Sequence, residues 1–200
     1  LSVPMSLDTV TMREGAQIKS NLADQTGSVT TKSLRFSPDL SGTEWKALGM
    51  PLASAVIKNS TEEEISAPSA QNVDNGIWFA RLKDNKTPEF VVDESTFGMA
   101  GLWAANGDTY TISSEGAFEF KTLEDPAAPT ETGTFLMCSN PNTFTITLKQ
   151  SAYILTTDGT SFEQEANPEI KPFQSFVLTD AKTLSTLRSL RIGDGVVTGN

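Results

Sequence analysis

The sequence predicts an all-β protein: an antiparallel, jelly-roll-like β-sandwich of many short strands with little or no helix. Three observations carry that prediction. About fifteen short runs are rich in β-branched and aromatic residues, and turn signals separate them every eight to twelve residues. Several runs alternate apolar with polar residues, the period of a half-buried strand. No apolar pattern of helical period persists for three turns.

The elements follow in chain order. Val3 to Met12 alternate loosely and read as a first strand, with Pro4 marking an edge or a strand start. Arg13-Glu14-Gly15 is a turn, Ala16–Lys19 a second short strand, and 20–27 a loop. Ser28–Phe36 is a strand whose Leu34 and Phe36 share a face. Trp45-Lys46-Ala47-Leu48-Gly49-Met50-Pro51-Leu52 is the most apolar block of the first seventy residues and reads as a buried strand stopped by Pro51. Leu52–Ile57 continues it. Residues 58–75 are polar and acidic, a long surface connection with a turn or two of helix expected after Ser60-Thr61. Ile77–Leu82, Thr87–Val92 and Gly98–Trp103 are strands, the last small enough for a bulge or a close approach.

Asn106-Gly107-Asp108 has hairpin chemistry. Thr109–Ile112 and Ala117–Lys121 read as two strands around a turn at 113–116. Residues 124–131 form a Pro-rich surface loop, and Gly133–Cys138 is a strand. Phe144, Ile146 and Leu148 give the cleanest half-buried alternation, continued by Tyr153 and Leu155. Asp158-Gly159 is a hairpin signal. Ile170–Leu178 is the counterpart of the Trp45 block. Trp45, Leu48 and Met50, or their neighbours by register, are expected in one core with Phe173 and Phe176. Leu184–Ile192 favours strand over short helix. The whole reads as one module over 1–192, with 58–75 as the place where two subdomains would divide, and 193–200 as a Gly-rich linker.

Composition narrows the chemistry. The 200 residues suffice for one sizeable core or two small ones. The net charge is −10 and no Lys/Arg run occurs, which argues against nucleic acid and anionic membranes as partners. There is no histidine, so the commonest general base and metal ligand are missing. The single cysteine, Cys138, lies in an apolar run and reads as a small buried hydrophobe. No stretch approaches the ~20 apolar residues that cross a bilayer as a helix, and Leu1–Pro4 lacks the features of a signal peptide. No cofactor or metal is expected. Glu62-Glu63-Glu64 lacks the alternating ligand spacing of a calcium loop.

Of the carboxylate pairs, Asp93 and Glu94 point to opposite faces of a strand, and Glu163 and Glu165 share a face beside a hairpin where solvated charges belong. Neither is expected to be catalytic, and no motif supports a Ser-Lys dyad. The candidate ligand-binding residues are Trp103 and Tyr110, which flank the polar turn Ala104–Asp108 and offer sugar-stacking faces. The bland reading of both is a core or rim position. Trp45 and Trp78 sit inside strong strands and read as core.

The order of features resembles a known family. Leu34-Arg35-Phe36 and Trp45–Leu52 are followed by Gly133-Thr134-Phe135, Tyr153-Ile154-Leu155, the Asp158-Gly159 turn with Phe162, and Ile170-Lys171-Pro172-Phe173-Gln174-Ser175-Phe176. This is similar to the β-sandwich module repeated in secreted and surface proteins of gut Bacteroidetes bacteria. That module carries Trp-x-x-Leu-x-Leu-Pro-Phe, Gly-Thr-Tyr and Pro-Phe-Arg-Ala-Tyr-Phe strands. This chain departs from it at Leu52, Phe135 and Gln174-Ser175, and has Asn75–Phe79 where a Thr-Pro-Tyr element is usual. The resemblance implies an exported, cell-surface protein. The expected function is non-catalytic: adhesion, display or contact with surface or host glycans or other surface proteins. The alternatives are a carbohydrate-binding module of a polysaccharide-degrading system and a glycoside hydrolase using carboxylates alone.

Overall fold

The computed structural model describes residues 5–19, 29–38, 40, 44–49, 55–65, 77–92, 100–105 and 109–192. Within them the chain is all-β, with sixteen strands and one six-residue helix. The first five-stranded sheet orders β1 (Met5–Arg13), β2 (Val29–Ser37), β9 (Thr111–Phe120), β4 (Ala55–Lys58) and β5 (Glu64–Ile65). A four-stranded sheet orders β3 (Lys46–Gly49), β8 (Ala100–Ala105), β6 (Ile77–Leu82) and β7 (Phe90–Val92). The second five-stranded sheet orders β10 (Phe135–Ser139), β15 (Ser175–Thr179), β12 (Ala152–Leu155), β13 (Ser161–Glu165) and β16 (Ser189–Arg191). β11 (Ile146–Thr147) and β14 (Glu169–Ile170) form a small fourth ladder.

The four-stranded sheet is the middle layer, because side chains of period two divide its residues between two cores. Ile77 and Phe79 of β6, with Trp103 and Ala105 of β8, join Leu34, Phe36, Ile57 and Phe118 of the first sheet. Trp78, Ala80 and Leu82, with Leu102 and Ala104, join Phe135, Tyr153, Phe162 and Val177 of the other five-stranded sheet. A strand buried on both faces has no polar side, which is why Ile77–Ala80 reads as a continuous apolar run before the exposed Arg81. A third core, around Ile154, Phe176 and Leu178, lies on the far face of that second five-stranded sheet, where Ile170 of β14 and Leu148 close it.

Several expectations need correction. β1 and β2 pair in parallel, Met5 opposite Val29, whereas every other ladder is antiparallel. Residues 14–28 are long enough for the crossover that a parallel neighbour requires. Residues 16–19 are not a ladder strand; Ile18 instead exchanges hydrogen bonds with Thr143, its N–H donating to the Thr143 carbonyl and its own carbonyl accepting from the Thr143 hydroxyl. Residues 113–116 are not a turn: β9 runs through them, and the register against β2 slips where Thr31 faces Phe118 and Ser33 faces Glu115. Gly116 therefore sits at a β-bulge. Among the described residues to Ile65, no helix follows Ser60-Thr61. The Asn59 side chain accepts from the Thr61 and Glu63 amides and shapes a hairpin into β5, with Glu62 at φ 63°. The Phe144–Leu148 strand shrinks to two residues.

At the C-terminal end, Asp180 caps a helix α1 (Ala181–Thr186) before β16 begins, so Leu184–Ile192 is part helix and part strand. Met50, residues 193–200 and the Asn106–Asp108 turn lie outside the described residues. The Asp158-Gly159 hairpin joins β12 to β13 as expected, with Gly159 at φ +68°.

Candidate functional site

The two apolar blocks meet. Leu48 forms a β-bridge with Gln174, and the Gly49 amide donates to the Phe173 carbonyl. They do not share one core, however. Leu48 and Phe173 lie in the first, Trp45 in the second and Phe176 in the third. The segment between Ile170 and β15 turns the chain from one layer to the next. Phe173 takes up that turn in the left-handed region, at φ 58°, which a bulky residue adopts only when its surroundings over-determine it. Here the surroundings are explicit. The Phe173 ring packs edge-on to Phe36 at 5.1 Å, and its amide donates to the Asn140 carbonyl. The buried Asn140 carboxamide donates to the carbonyls of Phe144, Ile170 and Lys171.

Beside this junction lies a cleft of about 230 Å³. Its floor is Phe36, Leu48 and the rim of Trp45, which is 9 % exposed. One wall is the Glu14-Gly15 turn with Lys46 of β3; the other is Thr156-Thr157 and the Lys171–Gln174 turn. The walls are fixed by local bonds. Asp158 accepts from the hydroxyls of Thr156 and Thr160 and from the Thr160 amide, which together hold its carboxyl below the ordinary carboxylate range. Gly159 lies so close to β3 that a Cβ there would stand 2.7 Å from the Trp45 carbonyl oxygen. Gln174 accepts from the Lys171 amide through Oε1 at 2.9 Å, which orients its carboxamide and leaves its NH2 group to donate.

Among the described residues, two lysines and one glutamate line the cleft, a local charge of +1 in a chain of net charge −10. Lys46 Nζ stands 3.7 Å from Glu14 Oε2. The exposed Lys171 ammonium has no ion-pair partner among the described residues. The volume is below the ~300–1,000 Å³ of a drug-sized ligand site, so the cleft suits one ring or one side chain.

The residues expected to bind a ligand lie elsewhere. Trp103 is completely buried, tilted against Phe79 at 4.9 Å, and Tyr110 is 2 % exposed in the same core. Neither ring presents a face on which a sugar could stack. Lys46, Lys171, Gln174 and Thr157 were not singled out by any motif; the available signal was a lysine inside each of the two apolar blocks. Glu163 and Glu165 are exposed on β13, away from the cleft lining, and Asp93 and Glu94 lie outside the described residues. Burial pushes the Cys138 thiol up to about 11, which suits a packed hydrophobe and not a nucleophile. A wider and more open depression between Leu123–Ala127 and Lys149-Gln150 lacks an aromatic wall, and the Gln150 amide there donates to the Pro126 carbonyl. Compared with protein-family models, curated proteins and solved structures, the chain matches none.

Proposed function

We propose that this chain is a non-catalytic β-sandwich module of an exported cell-surface protein, acting in adhesion or display by contacting glycans at the cleft between β3 and the Lys171–Gln174 turn. The observation that carries this reading is the cleft itself: a lining of apolar residues with the rim of Trp45, the oriented Gln174 carboxamide, the exposed Thr157, and the two lysines Lys46 and Lys171. Saccharide recognition uses that combination of an apolar face and a few placed polar groups. The resemblance of Trp45–Leu52 and Ile170–Phe176 to strands of bacterial surface modules supports the address.

Among the described residues the lining contains a single carboxylate, Glu14, which faces Lys46. Glycoside hydrolysis uses two carboxyl groups roughly 5–10 Å apart across the bond, so the arrangement favours binding over cleavage. Other carboxylates serve as structural acceptors. Asp180 caps α1 and also accepts from Gly133, and Asp84 accepts from the amides of Lys86 and Thr87. The test is retention of the intact chain on a panel of immobilised polysaccharides, beside a Lys171→Ala/Gln174→Ala double variant. Retention of the parent that the variant loses is expected. No retention on any polysaccharide would overturn the reading.

A further inference from the structure

We infer that the cleft selects saccharides bearing a carboxylate, with one uronic-acid ring entering it and its carboxylate at Lys171. This rests on the glycan reading above and narrows it to a ligand class. The argument is electrostatic and geometric. The chain carries a net charge of −10, yet among the described residues this cleft gathers Lys46 and Lys171 against Glu14 alone. Lys46 is near Glu14, whereas Lys171 has no carboxylate beside it among the described residues. The Gln174 NH2 group, whose carboxamide is held through its Oε1, is a second donor of the cleft lining, and the exposed Thr157 hydroxyl a third. A charge-assisted hydrogen bond to a carboxylate is about twice as strong as a neutral one. The volume of about 230 Å³ admits one ring.

The left-handed backbone at Phe173 has a role in this picture. It turns the chain sharply between Lys171 and β15, so that Pro172 and Gln174 both line the cleft while Phe173 itself is buried. Residues held in such conformations collect at ligand clamps.

The experiment is an NMR titration of the 15N-labelled chain with methyl glucuronide and methyl galacturonide, beside methyl glucoside and methyl galactoside. Amide shifts at Lys171, Gln174 and Thr157 are expected with the acids. Affinity for the neutral sugars should be about tenfold weaker or less. Lys171→Ala should abolish that difference while leaving the thermal midpoint unchanged, and added salt should weaken only the acidic ligands. Equal binding of acid and neutral sugars would overturn this inference while the glycan reading stands. Equal shifts from N-acetyl-aspartate amide would assign the cleft to acidic peptides and overturn it. No shift with any sugar, beside failed retention on polysaccharides, would overturn both.

Discussion

The middle sheet behaves differently at its centre and at its β3 edge. At the centre, β6 and β8 have a strand on each side and a sheet over each face, so Phe79, Trp103 and Leu102 are completely buried. Gly101 has no room for a side chain; a Cβ there would stand 1.9 Å from Phe79 Cε2. At the edge, β3 has β8 on one side and only the Leu48–Gln174 bridge on the other. There the apolar residues still face inward, but Lys46, Gln174 and Lys171 keep their polar ends in solvent reach. A strand covered in every direction has no surface left for a ligand. A binding surface arises where the ladder stops short.

The strongest way to break this contrast is at the centre. Phe79→Ala should cost about 3–5 kcal/mol in urea unfolding, because the site is enclosed and collapses poorly. Gly101→Ala should cost about 1–3 kcal/mol by overpacking, and the Phe79 ring has no free direction in which to retreat. The two substitutions should be strongly non-additive. In the Phe79→Ala background the added methyl meets no ring, so a cost for Gly101→Ala that stays undiminished there would show that another contact sets it.

The edge should respond less. Gly159→Ala combines φ +68° with a Cβ 2.7 Å from the Trp45 carbonyl oxygen, and should cost a little over ~1 kcal/mol. It should also move the Lys46 and Trp45 amide resonances, since the turn it deforms rests on β3. The smallest effect belongs to the cap of α1. The Thr183 hydroxyl and the amides of Thr183, Gly133 and Lys182 hold the Asp180 carboxyl far below its ordinary 3.8. A folded pKa below the unfolded one adds stability that is full above the unfolded value and is lost as pH falls through the folded one. The gap in urea midpoint between the parent and Asp180→Ala should thus hold at pH 7 and narrow as pH drops below that value of 3.8. A gap unchanged into strong acid would show that the cap works without its charge.

Much of the local structure was legible because local chemistry decides it. Leu34 and Phe36 alternate and are buried together, and Asp158-Gly159 makes its hairpin. The all-β class follows from such units repeated. Misreadings arose where partners far along the chain outweighed local preference. Ser113–Gly116 has turn composition, yet pairing with β2 on one side and β4 on the other keeps it extended and converts Gly116 into a bulge. Six residues are too few to show helical period, so α1 announces itself only through the Asp180 cap. The cleft was the least legible feature. Lys46 and Lys171 come to line one cleft where Leu48 bridges Gln174, a pairing that neither block encodes alone.

The double-faced burial of β6 also bears on how the chain is made. Ile77–Leu82 is a six-residue β-forming run with one charge, the composition of segments that stack with copies of themselves when uncovered. Its Trp78–Ala80–Leu82 face is closed by strands that all lie beyond residue 134. During vectorial synthesis that face waits for the C-terminal third of the chain to emerge. A chain without the strands from Phe135 onward would display this face to neighbouring molecules.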